Sequence, residues 1–276
     1  MKIVSWNMQH KRKSWRSLVG MDTDVALLQE ARMPPEDVAG RIETDPAPFR
    51  TDDGKSLSRC AIVKLTDKVA VEWLNPVPIE VAQRGDFIVS QPGCIAAAIV
   101  TPENGDPITV VSFCPEYNRP HRSTGKGSWM MVDPSLHRVV SDLSLLIGKQ
   151  NGHRIIAAGD LTIIYGYGKN EYWRRREHTV FDRMDALGLK LMGPWYPNGR
   201  KADPHPSWLP TDSVNVPTFR RIGGQVGSET SQLDYVFVSE GMEDEVEVRA
   251  LNRPHEWGPS DHCRIEIVTD QKLPNA

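Results

Sequence analysis

Apolar residues fall mostly in short runs parted by turn residues, a pattern of strands with a few helices between them. Lys2 to Asn7 alternates as a strand. Asp24 to Gln29 is a short, continuously apolar run of the kind covered on both sheet faces, and it ends in Glu30. Between these two runs, Gln9 to Arg16 is basic and aromatic, and Ser14 is expected to cap a short helix there. Pro34-Pro35-Glu36-Asp37 reads as a second helix start. Strand-like runs then follow closely at Cys60 to Leu65, Val69 to Leu74, Phe87 to Ser90, Cys94 to Thr101 and Ile108 to Phe113. Turn signals such as Pro92-Gly93 and Asn104-Gly105-Asp106-Pro107 separate them, which predicts an antiparallel meander.

Asp133-Pro134 opens a helix whose apolar residues Leu136, Val139, Val140, Leu143, Leu146 and Ile147 recur at helical spacing, as a core-facing stripe does. Arg154 to Ala158 is a buried strand that delivers Gly159-Asp160-Leu161-Thr162 at its carboxyl end, where α/β enzymes place reactive groups. A loop with interleaved aromatic and basic residues, Tyr165 to Arg176, leads into a helix through Val180, Met184 and Leu187. Such interleaving suits base stacking with phosphate contact, and equally a solvated charged face. From Tyr196 to Phe219 repeated prolines make a long ordered excursion. Leu233 to Val238 is a strand into which Asp234 intrudes, and a buried carboxylate needs a partner. Val246 to Leu251 adds another strand. A last one, through Cys263, Ile265 and Ile267, follows a Gly258-Pro259 turn that presents Asp261 and His262 at the mouth of a sheet.

The 276 residues are expected to form one domain over 1–270 with a short tail at 271–276. With 39% hydrophobic and 25% charged residues the composition is that of a globule. No apolar run approaches the roughly 20 residues needed to span a bilayer. The strand at the very start leaves no room for a signal peptide, so a cytosolic location is expected. Cys60, Cys94, Cys114 and Cys263 lie far apart in apolar runs, as buried free thiols do. The net charge of −3 means that any polyanion must be drawn by a local patch.

Asn7, Glu30, Asp160, Asp234, Asp261 and His262 all stand at strand ends. Carboxylates gathered at one rim would repel, and a hard divalent cation relieves that repulsion. Carboxylate, amide and water ligands select Mg²⁺ or Mn²⁺ over zinc, and Asp234 is suited to fix the tautomer of His262. The ordered set Ser5-Trp6-Asn7, Leu28-Gln29-Glu30, Gly159-Asp160-Leu161-Thr162, Leu233-Asp234-Tyr235 and Ser260-Asp261-His262 resembles the endonuclease/exonuclease/phosphatase superfamily. The resemblance spans nearly the whole chain and implies an α/β fold, a four-layered sandwich of two mixed sheets flanked by helices. It implies that Glu30 holds the metal with Asn7 and Asp261, and that Asp160 orients and helps deprotonate the attacking water. His262 would bind the scissile phosphate and Asp234 would pair with it. The reaction implied is in-line hydrolysis of a phosphoester.

Two positions depart from that pattern. Thr162 stands where the superfamily usually has Asn, and Ser112-Phe113-Cys114-Pro115 lacks the Tyr or His generally found before the proline. Tyr117 and His121 are candidates to fill that gap. The basic and aromatic loops make Arg122, Arg174, Arg175 and Arg176, with Tyr117, candidate substrate-binding residues. The expected activity is a Mg²⁺- or Mn²⁺-dependent nuclease, with DNA the expected partner ahead of RNA and no protein or membrane partner implied. Two alternatives stand: hydrolysis of a small phosphorylated molecule or lipid headgroup, and a catalytically impaired fold that binds nucleic acid or protein.

Overall fold

The two sheets form because most strands of this chain are apolar on both faces. In the computed structural model, which describes residues 1–124, 130–148, 152–221 and 223–269, the strands are β1 (Lys2–Asn7), β2 (Val25–Ala31), β3 (Glu43–Thr44), β4 (Arg59–Lys64), β5 (Val69–Leu74), β6 (Pro76–Pro78), β7 (Phe87–Val89), β8 (Ile95–Pro102), β9 (Ile108–Phe113), β10 (Ile155–Asp160), β11 (Leu189–Gly193), β12 (Asp234–Ser239), β13 (Val246–Leu251) and β14 (Arg264–Thr269). The helices are α1 (Arg12–Leu18), α2 (Glu36–Ala39), α3 (Asp133–Leu143) and α4 (Glu171–Ala186). One six-stranded sheet runs β13-β14-β1-β2-β4-β3 and the other β11-β12-β10-β9-β8-β5. Each is mixed: β1 and β2 pair parallel, as do β9 and β10, and the other pairs in these sheets are antiparallel.

Strand alternation sorts side chains into layers. Ile3, Val25, Leu27 and Ile62 of the first sheet face Ala98, Val110, Ile156 and Val236 of the second, an apolar seam between the sheets. The alternate residues Val4, Trp6, Ala26 and Leu28 pack outward on Trp15 and Leu18 of α1 and Val38 of α2. On the opposite outer face, Val111, Ala157 and Phe237 pack against the Leu136, Val139 and Leu143 stripe of α3 and against Val180 and Met184 of α4. The result is a four-layered α/β sandwich. Among the described residues no helix is long and apolar enough to cross a membrane.

Several local expectations change. The meander reduces to β5, β8 and β9, because β4 pairs with β2 in the other sheet and β7 pairs with β6 in a separate two-stranded sheet. Burial on both faces of β4 shows that it is sheet interior, but not whose interior. Ser14 lies inside α1, where its hydroxyl donates to Met8 O at 3.1 Å, and it caps nothing. The segment from Glu171 to Arg176 is helix, not loop, opened by Asn170, whose side chain accepts from Trp173 N at 3.3 Å. Strand β11 was not anticipated, since only its two end residues are buried and no alternation marks it. The expected tail at 271–276 lies outside the described residues.

Gly159 is needed by close backbone approach. A Cβ there would stand 1.8 Å from Phe113 O on the neighbouring parallel strand. Gly159→Ala is therefore expected to cost about 3 kcal/mol as β9 and β10 are pushed apart. A urea midpoint equal to that of the unaltered protein would show that the strands part without cost.

Candidate active site

The parallel strands β1, β2 and β10 end at one rim, and the antiparallel partners β12 and β14 begin there. Chain direction thus brings Asn7, Glu30 and Asp160, each at or next to a strand's end, beside Asp234, at a strand's start, and His262, just before one. Asp234 sits opposite Asp160 in register. His262 Nδ1 lies 2.9 Å from Asp234 Oδ2, and its Nε2 lies 3.7 Å from Asp160 Oδ2. Asn7 Nδ2 donates to Asp160 Oδ2 at 3.0 Å, while Asn7 Oδ1 accepts from Gln9 N at 3.0 Å. A carboxylate on one side and an N–H on the other fix which way the amide faces. Asp160 Oδ1 accepts from Thr162 N at 2.6 Å and from Thr162 Oγ1 at 3.1 Å.

These side chains are almost wholly buried: Asn7 1%, Asp160 4%, Asp234 1% and His262 4% exposed. Burial above all pushes the Asp160 carboxyl up to about 6, with the Asp234 and Glu30 charges adding and the His262 charge opposing. For His262 burial favours the neutral ring. The Asp234 and Asp160 charges and the Asp234 hydrogen bond outweigh it and raise the ring to about 10.

Beside this chain opens a cleft of about 610 Å³ lined by Glu30, Asp160, Thr162, Asp261, His262 and Tyr117, among others. Asp261 is gripped by Gln9, whose Nε2 donates to its Oδ2 at 2.6 Å and whose Oε1 accepts from its N–H at 3.1 Å. Glu30 Oε2 is 3.2 Å from His10 Nε2. The donor set suits a hard divalent cation, because Glu30 and Asp261 are among the carboxylates that line the cleft and Mg²⁺ commonly keeps several waters beside one or two carboxylates. Among the described residues no three His, Cys, Asp or Glu side chains form a ready-made cage. Asn7 Oδ1 accepts one N–H, from Gln9, and keeps a second lone pair, while its Nδ2 is spent on Asp160.

Phe113 points into the outer core beside Phe237, so it lines no part of the cleft. Tyr117 does line it. Burial and the charges of Asp160, Cys114 and Glu30 raise its hydroxyl, opposed by a hydrogen bond with Thr162. Cys114 also lines the cleft, but burial pushes its thiol well above the usual range, which disfavours a thiolate nucleophile.

The arginines of α4 are placed elsewhere. None of Arg174, Arg175 and Arg176 lines the cleft. Arg175 pairs with Glu171 at 2.6 Å, and Arg176 ties α4 to Asp133 of α3 at 2.6 Å. Arg122 lies in an exposed turn and His121 is exposed beside it, both outside the cleft lining. A second cavity of about 600 Å³ shares His10 with the cleft and gathers Arg12, Arg16, Arg32 and Arg50. Arg16 is paired there with Asp37 at 2.7 Å.

Sequence reasoning missed four contributors. Gln9 and His10 were absorbed into a basic run, though polar residues directly after a strand-end Asn were a usable signal. Thr218 Oγ1 accepts from Leu233 N at 2.9 Å and Asp234 N at 3.1 Å, and the Phe219 ring lies 5.0 Å from that of His262. Both come from the proline-rich excursion, where no periodicity marks them.

No protein-family model matches the chain, and no curated protein matches it in sequence. Solved structures do. An AP endonuclease from Leishmania major is 14% identical, with 98% of this chain and 88% of that one covered and a TM-score of 0.63. The catalytic domain of APE2 from Xenopus laevis is 17% identical, with 99% and 95% covered and a TM-score of 0.61. A 3'-5' exonuclease from Neisseria meningitidis is 17% identical, with 98% and 100% covered and a TM-score of 0.58. At such identities the likeness is one of fold, and it agrees with the fold that the sequence resemblance implies.

The raised ring of His262 has a consequence for stability. The folded state holds its proton more tightly than the ordinary value of 6.5, so that contribution is complete below about pH 6.5 and is lost as pH rises towards about 10. Asp160, raised from 3.8 to about 6, acts in the same direction at lower pH. The thermal midpoint is expected to fall between pH 6.5 and 10, and to fall less steeply in Asp234→Asn, which lacks the main group holding the proton. An equally steep fall in that variant would place the titrating group elsewhere.

Proposed function

We propose that this chain is a divalent-metal-dependent phosphodiesterase that hydrolyses nucleic acid, with DNA the preferred substrate. The observation that carries the reading is the buried run Asp234–His262–Asp160–Asn7 opening onto a cleft that the Glu30 and Asp261 carboxylates also line. Asp160, raised to about 6, is basic enough to accept a proton from water at neutral pH, and Asn7 and Thr162 hold its two oxygens in fixed directions. His262, kept cationic by Asp234, offers positive charge beside the cleft to the non-bridging oxygens of a phosphodiester. Tyr117 and Thr162 add hydroxyl groups at the same wall. A Mg²⁺ or Mn²⁺ ion held by Glu30 and Asp261 would neutralise charge that develops on the phosphoryl and leaving oxygens.

DNA is favoured by the neighbours, which are described as an AP endonuclease and a 3'-5' exonuclease, and a related structure from Neisseria is a 3' phosphatase bound to a product DNA hairpin. The basic surface that would follow a sugar-phosphate backbone is the arginine cavity that shares His10 with the cleft. This moves the substrate contact away from Arg174, Arg175 and Arg176.

Plasmid, single-stranded DNA and RNA incubated with Mg²⁺, Mn²⁺ or EDTA test the reading. Metal-dependent cleavage of DNA is expected, reduced about a thousandfold in Asp160→Asn and His262→Gln with the circular dichroism of the fold retained. Phosphate release from a soluble phosphomonoester without cleavage of any polymer would favour the small-molecule alternative. Tight DNA binding without cleavage would favour a binding module. Replacing Arg12 and Arg32 by Ala is expected to lower the salt slope of DNA binding by about two, while Ala at 174, 175 and 176 leaves it unchanged. The opposite pattern would return the contact to α4.

A further inference from the structure

His10 takes no part in the chemistry above, yet it is held firmly. Its backbone stands at φ 56°, a left-handed conformation that side chains with a Cβ resist. His10 N donates to Glu30 O at 3.2 Å, and the ring Nδ1 lies 3.1 Å from the same carbonyl oxygen and 2.9 Å from Ser58 Oγ. A carbonyl only accepts, which assigns the proton to Nδ1. In the neutral ring Nε2 then carries the lone pair, and it lies 3.2 Å from Glu30 Oε2. Two electron-rich atoms at that spacing repel unless positive charge lies on or between them. A histidine anchored through Nδ1–H to a carbonyl, with Nε2 free, is also how proteins orient a metal-binding imidazole.

We infer that His10 Nε2 is a nitrogen ligand to the divalent cation held by Glu30, and that it biases this site towards first-row transition ions, Mn²⁺ among them, over Mg²⁺. The inference rests on the reading of Glu30 as a cation ligand. Two ligands side by side on an ion with bonds of about 2.1 Å stand about 3 Å apart, close to the spacing seen. An all-oxygen set suits Mg²⁺, and an imidazole adds affinity for transition ions that Mg²⁺ does not share. Ser58 and the Glu30 backbone would position the ring, and the strain at His10 is the cost of turning it towards the carboxylate.

Mn²⁺ and Mg²⁺ binding to the full chain, without substrate, test this. Mn²⁺ is followed by its electron paramagnetic resonance, Mg²⁺ by competition, and bound imidazole by electron spin echo modulation from nitrogen. The variant His10→Gly removes the ring and suits the backbone at φ 56°. It is expected to weaken Mn²⁺ binding about tenfold or more, to change Mg²⁺ binding by less than about threefold, and to abolish the imidazole modulation. Unchanged Mn²⁺ affinity, or modulation that persists in His10→Gly, overturns the inference. Glu30→Gln separates the two levels: loss of both ions there with no effect of His10→Gly leaves the cation site standing without His10. Undiminished binding of both ions in Glu30→Gln overturns the reading of the site and this inference with it.

Discussion

Two buried carboxylates share one histidine, and the architecture turns on that arrangement. Asp160 and Asp234 come from the second sheet, while Asn7 and His262 belong to the first sheet's β1 and the approach to its β14. The bonds Asn7–Asp160 and His262–Asp234 therefore cross from one sheet to the other, at the rim of a seam that is mostly apolar. A buried charge that loses its partner costs about 3–5 kcal/mol, so the rim clamps the sheets as firmly as it orients the polar groups. Gln29 adds a neutral crossing further in, where its Nε2 donates to Ser112 Oγ at 3.0 Å and to Ser5 Oγ at 3.3 Å. Site and scaffold are in this sense one structure, and a change to either side of the rim is felt by both.

Strain gathers at the same place. Among the described residues, the non-glycine residues with positive φ are Gln9, His10, Glu30 and Thr162, and all four stand at this rim. Each such residue costs of order 1–3 kcal/mol and persists only where its surroundings insist. Here the insistence is visible. Gln9 grips Asp261, His10 is bonded to Glu30, and Thr162 N–H donates to Asp160. Thr162 is the most costly of the four in kind, because a β-branched side chain tolerates the left-handed region worst, whereas Asn visits it readily. An Asn at this position, the residue the resemblance leads one to expect, thus has a backbone reason independent of any contact it makes.

The rim was legible in the sequence because polar residues at the ends of apolar runs are anomalous wherever they occur: Asn7, Glu30, Asp160, Asp234, Asp261 and His262 each break a strand pattern. The layers followed from the same alternation, read as strands buried on both faces. What could not be read is pairing. Cys60 to Lys64 is apolar on both sides whichever sheet it joins, and only its register against Val25 to Ala31 assigns it to the first. Gln9 and His10 were legible as polar but not as bent, since a left-handed backbone leaves no mark in the side-chain pattern. Phe113 stands where a Tyr or His is expected, yet its place on β9 opposite Gly159 sends that side chain into the core.

Charge runs mislead for a related reason: a guanidinium is available to a phosphate only if no carboxylate has claimed it. Arg174, Arg175 and Arg176 form an unbroken run of three arginines, but Glu171 and Asp133 have already taken two of them. The claim on Arg176 comes from a residue 43 positions away, invisible to any local reading. Arg32 stands alone in the sequence and Arg12 lies between Lys11 and Lys13, and among the described residues neither arginine has a carboxylate oxygen within 4.0 Å of its side chain. An unclaimed arginine next to a cleft rich in carboxylates also offsets the repulsion that those carboxylates exert on an incoming phosphate. The basic positions beside His10 are thus better placed to receive a polyanion than those on α4.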